Sequence, residues 1–244
     1  MQDKPVYRRV LLKISGEAIK TGLDKKSTEL YNFAYVDEIV SVIKKCMDKG
    51  VQFAIIVGGG NIWRGRSSGD MDRSIADHMG MLATVMNCLC LKDAFANAGI
   101  DARVMTTARM DTFGELFTKE DAIKHLEKGR VVLLGGGIGA PFFSTDTPAV
   151  LRGAEIEADV VMMAKNVSGV YTADPEKDPN AKLLPVVSYT EILRKNLGVI
   201  DMTAAALARD TKQTTYLFGL TESDNIYKII MGETLGTIVK EDAQ

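Results

Sequence analysis

A buried strand that runs directly into three glycines sets the fold expected for this chain. Residues 53–57 are apolar throughout, which is typical of a strand covered on both faces of a parallel sheet, and residues 58–60 are all glycine. The glycines clear side chains from the carboxyl end of the strand, where open α/β sheets bind ligands. Backbone N–H groups can then reach a phosphate, and Arg64 follows as a cation that can donate two parallel hydrogen bonds to phosphate oxygens.

The same arrangement occurs at two other strands. Residues 10–14 run into Ser15 and Gly16, and residues 131–134 run into the glycines 135–137. A single glycine turn is weak evidence for a phosphate site, but three such strand ends predict one extended phosphate-binding cleft. Lys13 lies inside the first of these strands, and a buried lysine is costly unless its ammonium meets an anion. We therefore predict that the ammonium group of Lys13 faces the cleft. In the alternative interpretation, the aliphatic part of Lys13 packs in the core while its ammonium group reaches water.

Strand and helix patterns alternate along the rest of the chain. Helical periodicity or capping signals predict helices at about 27–49, 70–98, 118–128, from Pro148, 188–196, from Asp201 and 225–231. Further strands are predicted at 102–106, 159–164, 215–218 and 237–240. No linker or repeat divides the pattern. It predicts an α/β fold in which residues 1–244 form one three-layer sandwich around a mainly parallel central sheet.

Local signals make further predictions about these helices. Thr118 with Asp121 and Ser188 with Glu191 have the spacing of capping pairs. Thr147 or Asp146 is predicted to cap the helix of Pro148, and Asp201 to cap the helix that follows it. One side of the long helix at 70–98 is predicted to lie in the hydrophobic core, where its methionines would fill space. The residues on this side are Ile75, Met79, Leu82, Met86, Leu89 and Phe95.

Composition argues against several classes of protein. A net charge of −2 and a pI of about 5.8 argue against a nucleic-acid binder or a membrane-surface binder. The longest apolar run is too short for a membrane span. Three cysteines without a C-x-x-C spacing predict buried, reduced thiols and a cytoplasmic location. Only two histidines are present, which argues against a histidine triad or a His/Cys metal site.

The remaining motifs favour phosphoryl transfer. The Walker pattern G-x-x-x-x-G-K-[ST] is absent, and the dinucleotide fingerprint that begins at Gly137 fails because Phe142 occupies its third glycine position, which leaves hydride transfer a weak alternative. Glycine-rich backbone, a strand lysine, an arginine and aspartates suffice to position phosphates and neutralise their charge. Magnesium would be held mostly by phosphates and water, so no dense cluster of metal ligands is predicted.

Several longer segments together carry a family resemblance. They are residues 13–17, 58–61 with 64–65, 77–87, 141–146, 155–159, 169–175, and Asp201 with 207–210. On these segments the chain resembles the amino-acid-kinase superfamily and, within it, the bacterial uridylate kinases, over about residues 6–240. The resemblance implies the reaction ATP + UMP → ADP + UDP with Mg²⁺, a step of pyrimidine nucleotide synthesis. It also implies a homohexamer, with UTP as an inhibitor and GTP as an effector to test.

The resemblance implies roles for individual residues. For catalysis it points to Lys13, which would neutralise the transferring phosphoryl group, and Asp201, which would orient Lys13 or the metal. The implied ATP site comprises Lys13, Ile14, Ser15, Gly16, Gly60 and Arg64 at the phosphates, and Lys165 or Asn166 with Tyr171 and Asp174 at the adenosine end. The implied UMP site comprises Gly59, Asp77, Ile138, Gly139, Ala140, Pro141, Phe142, Phe143, Ser144 and Thr145. The amino-terminal part would thus bind UMP, and the part from about residue 159 would bind ATP.

Three departures from the family pattern and two competing functions stay open. Ile138 and Ala140 replace the Thr and Asn of many relatives, so backbone would have to contact UMP there, and Gly219 replaces a common Asn. Residues 20–26 form a shorter segment than in many relatives, where this neighbourhood bears on GTP regulation. The competing functions are a kinase of the same fold that forms an acyl phosphate, and a nucleotide- or oxyanion-binding protein without catalysis. The sequence does not decide how strictly UMP is preferred over other monophosphates.

Overall fold

In the computed structural model, the residues described are 4–21, 29–64, 69–173, 178, 180–220 and 222–241. The strands are β1 (Arg9–Ile14), β2 (Gln52–Val57), β3 (Ala102–Thr106), β4 (Glu115–Leu116), β5 (Val131–Gly135), β6 (Val160–Lys165), β7 (Val186–Val187), β8 (Thr215–Gly219) and β9 (Gly236–Val239). The helices are α1 (Gly16–Thr21), α2 (Phe33–Met47), α3 (Arg73–Asn97), α4 (Lys119–Glu127), α5 (Asp146–Glu155), α6 (Tyr189–Lys195), α7 (Met202–Asp210) and α8 (Asn225–Ile230).

The strands form one sheet in the order β4-β3-β5-β2-β1-β6-β8-β9-β7. Every pairing is parallel except that of β8 with β9. The mainly parallel α/β fold is therefore confirmed. The central strands β5, β2, β1 and β6 are neighbours, and for this reason the three glycine turns meet at one edge of the sheet. The two-residue strands β4 and β7 at the sheet edges were not predicted, because two residues carry no periodicity.

Helices cover both faces of the sheet. One core cluster joins alternate residues of the central strands, such as Leu12 and Ile55, to buried residues of α2, α3 and α8. The other joins the intervening residues, such as Leu11 and Met163, to buried residues of α4, α5, α6 and α7. Successive residues of each central strand thus pack alternately into the two cores, as expected for a sheet between two layers of helices.

Most of the predicted helix starts are confirmed. Thr118 accepts a hydrogen bond from the backbone N–H of Asp121 (3.1 Å), and Ser188 accepts one from that of Glu191 (3.0 Å). The predicted cap of α5 was wrong. The helix begins at Asp146 after Thr145, whose side chain makes no capping bond, and the hydroxyl of Ser144 instead accepts from the N–H of Asp146 at 3.1 Å.

The first long helix is shorter than predicted. The chain is not helical at residues 29–32, and α2 begins at Phe33, where the side chain of Asn32 accepts from the N–H of Tyr35 at 3.1 Å. The predicted start at Ser27 and Thr28 lies outside the described residues. The short helix α1 was not predicted, because its six residues follow directly on the β1 turn.

The prediction for the apolar side of α3 was wrong for four of its six residues. Ile75, Met79, Leu82 and Met86 are 55%, 36%, 51% and 49% exposed, whereas smaller residues such as Ala76 and Ala83 are buried. The helix is apolar on two sides, and the side with small residues packs closely on the sheet. By length and composition α3 could also cross a membrane, with 44% of that stretch buried, but a core helix of a soluble protein meets the same criteria.

The buried thiols are confirmed for two of the three cysteines. Cys46 and Cys88 are buried, and Cys90 is half-buried. Burial raises the pKa of the Cys46 and Cys88 thiols to about 12, so both are protonated and unreactive at neutral pH.

Candidate active site

The glycines at the ends of β1 and β2 are required by close contacts. A Cβ on Gly16 would clash with the carbonyl oxygen of Gly58, and a Cβ on Gly59 would lie 2.7 Å from that of Gly80 in α3. The turns after β1 and β2 and the start of α3 therefore pack backbone against backbone. These glycines do more than permit a tight turn.

Two buried asparagines fix the turn after β2. Asn87 of α3 donates a hydrogen bond to the carbonyl oxygen of Gly58 (2.8 Å), and its side-chain amide exchanges two hydrogen bonds with that of Asn61 (3.0 and 2.8 Å). Buried amides keep their orientation only when they are paired, so this contact holds the glycine turn rigid. Sequence reasoning gave Asn61 and Asn87 no individual role.

A cavity of about 430 Å³, which we call the first cavity, opens between these turns and α3. Twelve of the predicted site residues line it: Lys13, Ser15, Gly16, Gly59, Gly60, Arg64, Asp77, Ile138, Ala140, Phe143, Ser144 and Thr145. The lining also includes Gly58 and Gly137, which belong to the predicted glycine turns, and six residues without a predicted role of their own: Glu17, Trp63, Arg73, Gly80, Met81 and Thr84. The predicted residues Ile14, Gly139, Pro141 and Phe142 do not line it.

Asp77 connects α3 to the loop after β5. Its carboxylate accepts two hydrogen bonds from Nε of Arg73, both at 2.9 Å, and one from the backbone N–H of Phe142 at 2.8 Å. Phe142 has a φ of 74°, a left-handed conformation that is costly for an aromatic residue, and the Arg73 guanidinium lies 5.9 Å from its ring centre. Phe142 therefore shapes the loop through its backbone, although its side chain is 64% exposed.

Beside the first cavity, Asp146 binds two lysines. Its Oδ1 lies 3.2 Å from Nζ of Lys13, and its Oδ2 accepts a hydrogen bond from Nζ of Lys165 at 2.7 Å. All three side chains are largely buried, with 8%, 10% and 17% of the Lys13, Asp146 and Lys165 side chains exposed. Sequence reasoning considered Asp146 only as a helix cap. Its pairing with both lysines depends on the position of α5 over β1 and β6, which no local pattern encodes.

The charges of this cluster affect one another. Burial alone would raise the pKa of Asp146, but Lys13 and Lys165 outweigh burial and lower it to about 2. Burial and the charge of Lys13 lower the pKa of Lys165, although Asp146 and Asp201 act in the opposite direction. Asp146 is thus firmly ionised at neutral pH, while the positive charge on Lys165 is only partly compensated.

Asp201 lies next to this cluster, with partners other than those expected. As predicted, it caps α7, accepting from the N–H of Ala204 at 2.7 Å. Its carboxylate also accepts from the hydroxyls of Ser144 and Thr147, the latter at 3.2 Å, and its own N–H donates to Asp146 at 3.3 Å. Lys13 forms its salt bridge with Asp146, and Asp201 contacts that same residue through its backbone N–H.

Arg64 forms an ion pair with Glu17 across the opening of the first cavity. Both side chains are about half exposed and both line the cavity. The pair places a cation beside the glycine turn. The oxygens of an entering phosphate would replace the Glu17 carboxylate as the partner of the Arg64 guanidinium.

A second cavity, of about 540 Å³, lies at the ends of β6 and α6. It is lined by Lys165, Asn166, Val167, Gly169, Val170, Tyr171, Ala173, Asn196, Leu197, Gly198 and Val199. Three residues predicted for an adenosine site, Lys165, Asn166 and Tyr171, are thereby brought together. Asp174 lies outside the described residues. The segment 196–199 was missed, because it joins the loop only through the tertiary fold.

Among the residues that the structure describes, no group of three or more acidic, histidine or cysteine side chains could hold a metal ion alone. Asp201 is a partly exposed carboxylate next to the buried lysines. This donor set fits a magnesium ion that arrives with a nucleotide and takes most of its ligands from phosphate and water.

Comparisons with known proteins agree with this geometry. The model of the amino acid kinase family matches residues 8–219. The UMP kinase from Bacillus anthracis is 34% identical, with a TM-score of 0.92 over 97% of both chains. The UMP kinase from Ureaplasma parvum is 32% identical, with a TM-score of 0.89 over 96% of this chain and 99% of its own. The uridylate kinase from Archaeoglobus fulgidus is 26% identical, with a TM-score of 0.72 over 94% of this chain and 99% of its own.

Proposed function

The chain belongs to the amino acid kinase family, and on this premise we propose that it is a UMP kinase that transfers the γ-phosphoryl group of ATP to UMP, giving ADP and UDP. The observation that carries the proposal is the pair of cavities on either side of Asp146. Lys13 lines the first cavity and Lys165 the second, and Asp146 binds both lysines. Two substrates that occupy the cavities would bring their phosphates together at these ammonium groups.

UMP is assigned to the first cavity and ATP to the second. Asp77 and the loop formed by residues 137–145 supply polar backbone and side-chain groups for a nucleoside monophosphate, while Gly59 leaves its backbone accessible. Asn166 and Tyr171 supply an amide and an aromatic ring for adenosine, and Asp174 is proposed with them from the resemblance. Residues 13–145 line the first cavity and residues 165–199 the second, which supports a division between UMP and ATP binding near residue 159.

In the proposed transfer a phosphate oxygen of UMP bonds to the γ-phosphorus of ATP. The bond from that phosphorus to the β–γ bridging oxygen breaks, and its electron pair remains on ADP. UMP reacts as the dianion, so the nucleophile has no proton to lose. The reaction then needs positioning and positive charge more than an acid or base. Lys13, Gly16, Gly60 and Arg64, which are proposed to hold the ATP phosphates, line the first cavity and would supply both where those phosphates meet UMP.

Magnesium is proposed as the ion that accompanies ATP. When bound it would neutralise part of the charge on the β- and γ-phosphates. Asp201 is the protein carboxylate proposed as its ligand. The hydroxyls of Ser144 and Thr147 orient that carboxylate.

We also propose that the chain works as a cytoplasmic homohexamer, with UTP and GTP as regulators to test. Support for self-association comes from the exposed side of α3, formed by Ile75, Met79, Leu82 and Met86. A contiguous apolar stripe of this kind marks an interaction surface on a protein. Two copies of α3 packed antiparallel about a twofold axis near Leu82 would place Met79 of each against Met86 of the other.

The test is a coupled assay of ADP release with a panel of acceptors. UMP, CMP, AMP and GMP cover the monophosphates, and acetate and carbamate cover acids that could form acyl phosphates. We expect UMP to give the highest kcat/KM. ADP release with an acid, or at the same rate without UMP, would contradict the proposal.

A further inference from the structure

Two threonines from different elements hold the turn after β5, and we call them the threonine pair. The backbone N–H of Gly136 donates to the hydroxyl of Thr84 in α3 at 2.8 Å, and the carbonyl oxygen of Gly136 accepts from the hydroxyl of Thr107 at 2.9 Å. Thr106 pairs with Gly135 in the sheet, so Thr107 and Gly136 follow two adjacent strand ends. Both polar groups of one glycine are thus bound by side chains from outside its turn.

The turn at residues 136–139 needs such external contacts. Gly136, Gly137 and Gly139 have φ values of 86°, 62° and 88°, and glycine has little intrinsic preference among backbone conformations. Within the turn, the N–H of Gly139 donates to the carbonyl oxygen of Gly136 at 3.2 Å. A methyl group on Gly136 would clash with the hydroxyl of Thr107, so the threonine can approach only a glycine. The threonine pair therefore supplies restraint that the glycines lack.

Hydrogen bonding by this turn to a ligand depends on its backbone. Ile138 and Ala140 line the first cavity, and neither has a polar side chain, so hydrogen bonds at these positions must come from N–H and C=O groups. Uracil presents an N–H donor between two carbonyl acceptors, whereas cytosine presents an amino donor beside a ring nitrogen that accepts. Backbone groups distinguish the two bases well only when their directions are fixed before the ligand binds.

We infer that Thr84 and Thr107 are positioning residues that set the affinity for UMP, and its preference over CMP, by fixing the turn at Gly136. The inference rests on the proposed function and deepens its UMP side. The Thr84 hydroxyl donates to the carbonyl oxygen of Met81 at 2.6 Å while it accepts from Gly136, so it acts through the turn. Thr84 should matter more than Thr107, because its loss leaves a buried N–H without an acceptor, whereas the Gly136 carbonyl keeps Gly139 as a donor.

The test compares Thr84→Val, which removes the hydroxyl at nearly constant volume, with Thr84→Ser, which keeps it, and with Thr107→Val. The matched control is Thr215→Val. Thr215 is fully buried and its hydroxyl accepts from that of Tyr189 at 2.6 Å, but it lines neither cavity. Trp63 is the single tryptophan of the chain and lines the first cavity, so its fluorescence gives Kd for UMP and CMP.

Three further measurements complete the comparison. Isothermal titration gives Kd for ATP, urea unfolding gives the free energy of unfolding, and ADP release with UMP or CMP gives kcat and KM. Hydrogen exchange without nucleotide reports how firmly the turn at residues 136–139 is held.

For Thr84→Val we expect Kd for UMP to rise about tenfold, as when a buried donor loses its acceptor, while Kd for ATP stays unchanged. Kd for CMP should rise less, so the preference for UMP falls. Thr107→Val should show the same pattern with a smaller rise, and Thr84→Ser should stay close to the wild type. In both valine variants the amides of residues 136–139 should exchange faster.

Thr215→Val should lower the free energy of unfolding but keep the Kd values of the wild type. Equal rises in Kd for UMP in Thr84→Val and Thr215→Val would overturn the inference, and so would lower stability of Thr84→Val with an unchanged Kd for UMP. If Thr84→Val does not fold, Thr107→Val decides by the same criteria. A wild type that binds UMP without phosphorylating it would refute only the proposed function, and one that does not bind UMP would overturn both.

Discussion

Asp146 shows how one buried carboxylate can hold two cations of a site in place. It is the first residue of α5, and its carboxylate is nine-tenths buried between Lys13 and Lys165. An unpaired buried carboxylate would cost several kcal/mol, and so would either lysine alone. The three side chains stabilise one another, and Asp146 holds both ammonium groups at the place where the phosphates are proposed to meet.

Replacing Asp146 by Asn should destabilise the protein by about 3 kcal/mol at neutral pH, because two buried lysines lose their counter-charge. Its pKa of about 2, instead of the ordinary 3.8, corresponds to about 2 kcal/mol of this stability. A lowered pKa stabilises the folded state above pH 3.8, and this contribution disappears as the pH falls towards 2. The difference in free energy of unfolding between the wild type and Asp146→Asn, measured with urea, should therefore become smaller below pH 4.

The control for that series is Asp111→Asn, because the Asp111 side chain is 73% exposed. This variant should have the same free energy of unfolding as the wild type at every pH. If the difference in free energy of unfolding between the wild type and Asp146→Asn stays constant down to pH 2, Asp146 is not held ionised by the lysines.

The lowered pKa of Lys165 predicts a limit on activity at alkaline pH. As the pH rises, the ammonium becomes neutral at a lower pH than an ordinary lysine, whose pKa is 10.5, and kcat/KM for ATP should fall. The groups that face it are Lys13, Asp146 and Asp201. In Lys165→Arg the guanidinium stays charged, so the decline should move to higher pH. An identical alkaline decline in both proteins would assign it to another group.

Between elements, the turn after β2 depends on contact of its backbone with α3. A methyl group on Gly59 would meet the carbonyl oxygen of Gly80 at 2.7 Å and the side chain of Ala83 at 2.9 Å. Gly59→Ala should therefore lower the free energy of unfolding by about 1–3 kcal/mol, since overpacking forces the backbone to move. The denaturation midpoint in urea measures this directly.

Gly80→Ala is the matched control, because it changes the facing residue of the same contact. Its methyl group would have no neighbour closer than 3.9 Å, and alanine favours a helix over glycine by up to about 1 kcal/mol. This variant should be as stable as the wild type or more so. Equal destabilisation by both substitutions would mean that the close contact does not explain the glycine at 59.

The sequence predicted the longer strands and several of the helix caps, because each of these depends on neighbouring residues. The runs at β1, β2 and β5 and the pair Thr118–Asp121 could be recognised without knowledge of the fold. Which side of α3 is buried could not be recognised, since both sides are apolar and the close approach of Gly80 to Gly59 selects one. The partner of Lys13 was also missed, because Asp146 is distant in sequence and meets Lys13 only in the folded chain.

For the assembly, the exposed side of α3 gives the clearest prediction. Leu82→Lys would place a charge in the middle of the apolar stripe, and desolvating it on association costs several kcal/mol. Sedimentation should show a smaller assembly for this variant than for the wild type at the same concentration. An unchanged sedimentation coefficient would remove α3 from the interface.

The matched control is Val186→Lys. Val186 is 49% exposed, close to the 51% of Leu82, but it lies in β7 at the far edge of the sheet. We expect this variant to assemble as the wild type does. A similar loss of assembly in both variants would indicate a general effect of added charge instead of an interface at α3.

The most direct test of the proposed reaction is to follow the γ-phosphoryl group itself. ATP labelled with ³²P at the γ-position is incubated with UMP and the wild-type protein or Lys13→Ala, and the products are separated. We predict that the wild type places the label on the β-phosphate of UDP, and that Lys13→Ala does so about 100-fold more slowly while remaining folded. Label released only as inorganic phosphate, at a rate independent of UMP, would contradict the account.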